Sequence, residues 1–238
     1  MNPTTLKTLS RLVLAAFACC ATSHAATILA DFAADFSPTS NPSGPWTYGS
    51  RTTLGASPTL STDHSSYGPL NEVLVWNPAG TLSLFVGLNT AYATVEFTDG
   101  SDIIVAARQG ILHPGPTGAF ANVHYTAASD FTAVLSVQFS GLDRTGTSSD
   151  VHILLNGQSL FSTTIDAFGA TATYTTNLHL TQGDLLDFAV GWGNNGTYFN
   201  DSTGFFATLS TADTPEPATC ALLALSLAAI TAVRRARR

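Results

Sequence analysis

The residues with the most chemistry in them stand together near the C-terminal end, in Trp192-Gly-Asn-Asn-Gly-Thr-Tyr-Phe-Asn-Asp-Ser-Thr-Gly204. Aromatic faces lie well under the C–H surfaces of sugars, and amide and carboxylate groups hydrogen-bond their hydroxyls. Trp192, Tyr198, Asn200 and Asp201 are therefore candidate saccharide contacts. Asn200 and Asp201 also offer oxygen ligands to a structural Ca²⁺. The competing reading is a turn-rich loop that closes one edge of the fold with its aromatics packed inward, and burial of Trp192 and Tyr198 would favour it. Trp46, Tyr48 and Trp76 carry the same two readings.

Catalysis finds less support. Glu72, Glu96, Asp63, Asp99, Asp102 and Asp187 could supply the acid and base of a glycan hydrolase, but no spacing selects a pair, and most stand beside turn glycines or at strand ends. His124, His152 and His179 each fall in a strand-like run, yet no His-x-His or His-Glu-x-x-His spacing joins them as metal ligands. Alternation places His152 and His179 on the face opposite their apolar neighbours, the solvent side. Gly-x-Ser-x-Gly is missing. The expectation is a non-enzymatic chain without catalytic residues, metal or cofactor.

The elements that must position these groups read as strands. Short Val, Thr, Phe, Ile and Leu runs are separated by Gly, Asn, Asp and Pro clusters, with no sustained helical period. Val151 to Leu155 and Gln158 to Ser162 flank Asn156-Gly157, the pair suited to the two positive φ angles of a type I′ turn. A second hairpin joins Thr94–Phe97 to Ile103–Ala106 around Asp99-Gly100. Further strands are expected at 26–32, 73–76, 82–86, 123–126, 132–139, 172–180, 185–192 and 205–209, with 37–70 as long loops. The fold class is all-β, a single two-sheet β-sandwich of the jelly-roll kind.

Both ends of the chain look like addresses. Lys7 and Arg11, the apolar run Leu12–Ala21 and Ser23-His24-Ala25 have the order of a secretory signal peptide over 1–25. At the other end Pro215, Glu216 and Pro217 precede an uncharged run over 218–233 and then Arg234, Arg235, Arg237 and Arg238. Sixteen helical residues would rise about 24 Å, enough for a short membrane span. The arginines would stop it on the cytoplasmic side, leaving 26–213 outside. Two prolines hold the chain extended before the span. Without the two ends the domain keeps fifteen acids against Arg51, Arg108 and Arg144, a formal charge of −12, with no lysine and no cysteine. That surface repels nucleic acid, and the core must do without disulfides.

Residues 214–238 resemble the PEP-CTERM sorting signal of Gram-negative bacteria. The resemblance implies processing by exosortase, an integral-membrane protease, and association with exopolysaccharide and biofilm matrix. Pro215, Glu216 and Pro217 would be the recognition element and the arginines the membrane stop. The order of Asp150–Gly157, Leu178–Asp184, Leu186–Val190 and the loop Gly193–Gly204 resembles galactose-binding-like jelly rolls and carbohydrate-binding modules, which implies a fold and no ligand. The sequence thus describes an exported surface or matrix protein, structural or, alternatively, lectin-like.

Overall fold

The computed structural model describes residues 26–97 and 102–212. The signal peptide, the turn at Asp99-Gly100 and the sorting tail lie outside the described residues.

Two antiparallel sheets face each other. One has the order β14 (Thr171–Leu180), β11 (Phe131–Gly141), β16 (Thr203–Ser210), β9 (Gly110–His113), β6 (Phe85–Asn89), β5 (Val73–Asn77), β4 (Asp63–Tyr67), with β1 (Ile28–Asp31) also paired to β16. The other runs β13 (Gln158–Ile165), β12 (Ser149–Leu155), β15 (Leu185–Gly191), β10 (Phe120–Thr126), β2 (Trp46–Arg51), β3 (Thr59–Leu60). A short pair, β7 (Val95–Glu96) and β8 (Ile104–Val105), stands apart.

Alternation explains most of this. In β11, Ala133, Leu135, Val137 and Phe139 point inward, and in β12 Val151 and Ile153 do so. Asn156 and Gly157 have φ 50° and 79°, the left-handed values their hairpin needs. Phe32 is central, its ring within 6.0 Å of the Phe36, Trp46, Tyr48 and Phe205 rings. Among the described residues every member of this core and of a second apolar cluster lies between Ala30 and Leu209, within the compact unit Ile28–Ser210. Thr27 and Thr211, which flank it, hydrogen-bond to each other.

Three expectations need correction. Segment 37–70 is not loop throughout: it holds β2, β3 and β4, and Trp46 and Tyr48 in β2 are core residues. Ser, Thr and Gly gave that stretch the composition of a loop, while the Trp-x-Tyr alternation carried its strand signal. The first strand stops at Asp31, whose carboxylate accepts from the Ala33 and Ala34 N–H groups and caps a single helical turn, α1 (Phe32–Asp35). β9 was not foreseen, because Gly110 at its start reads as a breaker. Here the glycine lets the Phe32 ring and Phe205 approach the backbone, and a Cβ would stand 2.7 Å from the ring.

Candidate functional site

Strands β5, β6 and β9 are buried on both faces. Leu74, Trp76, Val86, Leu88 and Leu112 face the sandwich interior, whereas Val73, Val75, Phe85 and Ile111 face outward and belong to the second cluster. What covers them is the β7–β8 hairpin, through Val95, Phe97, Ile103 and Val105. Asn89 at the end of β6 fixes that hairpin, its amide donating to the carbonyls of Ala93, Val105 and Ala106. Ile103 bridges to Asp143 just beyond β11, and Arg144 N–H bonds the Asp102 carbonyl.

Beside the described part of this cover lies a cleft of about 330 Å³. Its wall is a connected run of rings. Phe97 lies 6.4 Å from Tyr67, Tyr67 5.4 Å from Phe85, Phe85 stacks on His113 at 5.3 Å, His113 meets Tyr198 edge-on at 6.1 Å, and Tyr198 stacks on Phe199 at 4.5 Å. Phe199 stands at the rim, 63 % exposed.

The polar groups lie deeper. Asp143 lines the cleft at 2 % exposure and accepts the Ser202 N–H at 2.6 Å. Burial pushes its carboxyl up to about 6, helped by the charges of Asp201 and Asp102 and opposed by Ser202. The Ser202 hydroxyl beside it is buried without a hydrogen-bond partner. His113 Nδ1 points at the Ser83 and Pro114 carbonyls, 2.6 and 2.8 Å away, so it carries the proton and Nε2 is an acceptor. Burial pushes the His113 pKa down, against the pull of those carbonyls, and keeps the ring neutral.

The loop that brings Tyr198 and Phe199 here is pinned at both ends to the start of β12. Gly193 N–H donates to Asp150 at 2.8 Å, and the Ser148 N–H and hydroxyl both donate to Asp201. Gly193 has φ 64°, and a Cβ on it would come 1.6 Å from the Ser148 carbonyl oxygen, so no larger residue fits. Between the pins, Asn195 accepts from Thr197 N–H and Thr197 from Phe199 N–H.

The four loop residues singled out in the sequence have separate fates. Tyr198, half-buried, and Asn200, exposed, line the cleft. Trp192 is not part of it, and its indole packs over Gly118. Asp201 is fully buried; its Oδ1 anchors the loop while Oδ2 lacks a partner, and burial raises its carboxyl to about 6. It stands behind the site rather than in it, which separates it from Asn200 as a ligand pair for Ca²⁺. Trp46, Tyr48 and Trp76 are buried in the core, as the inward-packed reading of them requires.

The histidines divide: His179 is exposed as alternation expects, His152 is half-buried and His124 is buried. His124 is buried against Asp187, which also takes Arg51 at 2.7 Å, and His152 Nε2 meets Asp150 at 2.7 Å. Burial alone would raise Asp187 and Asp150, but these cationic and hydrogen-bonding partners outweigh it and hold both below the ordinary range. Pro58, Thr59 and Leu60 lie over this face with Thr47, Thr126 and Leu185, around a second hollow of about 200 Å³ that ends on His124. Among the described residues no three His, Asp or Glu side chains form a metal-ligand set.

The sequence offered the aromatic loop but not Tyr67, Phe85, Phe97, His113 or Asp143. The unbroken apolar runs of β5 and β6 were the available signal, since strands buried on both faces need a second cover.

Of the carboxylates weighed as acid and base, Glu96 and Asp102 meet on Arg144, Asp99 lies outside the described residues, and the others stand on separate elements. Glu96 pairs with Arg144 at 2.5 Å, Glu72 accepts from Leu70 N–H, Asp63 from Gly80 N–H, and Asp187 holds Arg51 and His124.

These features define a β-sandwich with an aromatic cleft on the outer face of one sheet. Residues 213–238 match the PEP-CTERM protein-sorting motif, which indicates export and sorting of a C-terminally anchored precursor to the cell surface. A search of curated proteins finds no match. Among solved structures the domain is similar to a family 51 carbohydrate-binding module from Clostridium perfringens, solved with methyl-galactose, at 13% identity and TM-score 0.37 over 64% of this chain and 95% of that one. It is also similar to a family 35 carbohydrate-binding module from Clostridium thermocellum, at 14% identity and TM-score 0.30 over 63% of this chain and 100% of that one. Likeness at this level concerns the arrangement of strands and says nothing of a ligand.

Proposed function

We propose that this chain is a non-enzymatic surface or matrix protein of a Gram-negative bacterium that holds saccharide in the cleft between Tyr67 and Phe199. The observation that carries the reading is the run of rings from Phe97 to Phe199 above a polar floor of Asp143 and Ser202. Apolar faces beside a few convergent polar groups are what a sugar ring, with C–H faces and a hydroxyl edge, requires. The volume falls within the ~300–1,000 Å³ of small-ligand sites. A single exposed Phe needs no explanation, but Phe199 stacked on Tyr198 at the rim of a cleft is a contact surface awaiting a partner. The sorting tail supplies the setting: a protein released at the surface meets exopolysaccharide and the biofilm matrix.

The test is affinity electrophoresis of the domain 26–212 through gels containing the host's exopolysaccharide, with and without Ca²⁺. Retardation that a Tyr198→Ala/Phe199→Ala variant loses supports the reading. Unretarded migration of the folded domain refutes it for that polymer and leaves a structural component of the surface. Retardation only with Ca²⁺ would add a metal to the site.

A further inference from the structure

We infer that the cleft selects saccharides carrying a free ammonium group, as in 2-amino-2-deoxyhexose residues, over neutral, N-acetylated or acidic ones. The inference rests on the saccharide reading above and narrows it to one chemical class.

Asp143 is the starting point. Its Oδ2 takes the Ser202 N–H, and the Ser202 side chain also favours the ionised carboxyl. Among the described residues no cation pairs with it. Arg144, next in the chain, is turned to Glu96 at 2.5 Å and Asp102 at 3.6 Å. The charged or titratable groups that face Asp143 from the surrounding elements are Asp201 after β15, Asp102 before β8, neutral His113 at the end of β9 and Tyr198 in the loop. The near-buried carboxylate thus sits among acids, an arrangement that costs stability unless something positive completes it. Ser202 Oγ, fully buried and without a well-formed hydrogen bond, stands beside it in the same cleft, its side chain lowering the Asp143 carboxyl. An ammonium brings three donors and one charge, which can serve the carboxylate and the hydroxyl together.

The walls and the field agree. Cations are attracted to the faces of Tyr and Phe rings, and five such rings line this cleft. A domain of formal charge −12 concentrates cations and repels polyanions. A uronate would set carboxylate against carboxylate at Asp143. An N-acetyl group would place a neutral amide where the site lacks a charge.

Three β-1,4-linked tetrasaccharides that differ only at C2 isolate the effect: the glucosamine tetramer, its fully N-acetylated twin and cellotetraose. Each is titrated calorimetrically into domain 26–212 at pH 6.8 and 0.15 M salt, where long-range attraction is screened beyond about 8 Å. The amine form should bind at least about tenfold tighter, the lower end of what a charge-assisted hydrogen bond contributes. Asp143→Asn should reduce that preference to within about twofold; the amide keeps an acceptor for Ser202 N–H, and a cooperative melt verifies folding. Asp130→Asn, the same change of charge at the opposite end of β11, should leave the preference intact. Equal binding of all three tetramers, or a preference that survives Asp143→Asn, overturns the inference and leaves the saccharide reading standing. Failure of all three to bind also overturns it, and the electrophoresis with the host's polymer then decides separately whether the saccharide reading falls.

Discussion

Lowering the pH from 7 to 5 should make this domain more stable. Asp143 and Asp201 are both held up to about 6 by burial, whereas in the unfolded chain each has the ordinary carboxyl value of 3.8. Between those values the folded state binds more protons than the unfolded state, so stability rises as pH falls through 6. At ~1.4 kcal/mol per unit, a carboxyl that titrates at about 6 in the fold and at 3.8 in the unfolded chain gains mainly over the unit below 6, roughly 1.3 kcal/mol between pH 7 and 5. The second adds less, because part of the Asp143 shift is repulsion from Asp201, so about 2 kcal/mol is the expected gain for the pair over that interval. Asp150 and Asp187, held low by their partners, contribute stability that is present above the ordinary carboxyl value and lost as pH falls through their own lower values. The maximum should therefore lie between about pH 4 and 5. For a domain of this size about 2 kcal/mol moves the midpoint by roughly 5 °C. Melts followed by circular dichroism from pH 3.5 to 8 at constant ionic strength measure it. Asp143→Asn should raise the midpoint at pH 7 and flatten the profile. A midpoint that stays level or falls between pH 7 and 5, or an Asp143→Asn profile parallel to the parent's, refutes the account of the buried acids.

Other outcomes follow from single contacts. Asp187→Ala strands Arg51 and His124 under the Pro58–Leu60 cover and should cost about 3–5 kcal/mol in urea unfolding. Gly193→Ala forces a Cβ into the Ser148 carbonyl at a left-handed φ, so it should cost at least about 2 kcal/mol and weaken retention by polysaccharide as the loop comes unpinned. Alanine at Pro215, Glu216 and Pro217 should leave full-length protein in the membrane fraction on immunoblots, where the parent is trimmed.

The fold was legible wherever one strand face meets water. β11, β12 and β14 alternate cleanly, and Asn156-Gly157 announces its turn. The reading weakened where both faces are covered. In the second sheet His124 alternates with Val123 and Tyr125 and so reads as exposed, yet Pro58–Leu60 fold over that face and the Arg51–Asp187 pair accounts for the charge beneath them. Alternation tells which residues share a face. It cannot tell whether another segment lies across it.

The site shows the same limit more sharply. Tyr198 and Phe199 were visible because a loop rich in Asn and Gly has no local reason to carry adjacent rings. Tyr67, Phe85, Phe97, His113 and Asp143 come from separate elements, and each is ordinary in its own neighbourhood. Asp201 was the candidate ligand and Asp143 was not singled out, whereas the structure gives Asp201 the loop and Asp143 the cleft. The two carboxylates exchange roles because the Ser148 donors engage one and a backbone N–H with an unpartnered hydroxyl meets the other. Both nonetheless carry the same burden, a buried acid with no cation. In Asp201 that burden holds a loop in place, and in Asp143 it faces an opening through which a cation can arrive. Asp201→Asn should therefore change stability without changing the choice among the tetramers, while Asp143→Asn should change both.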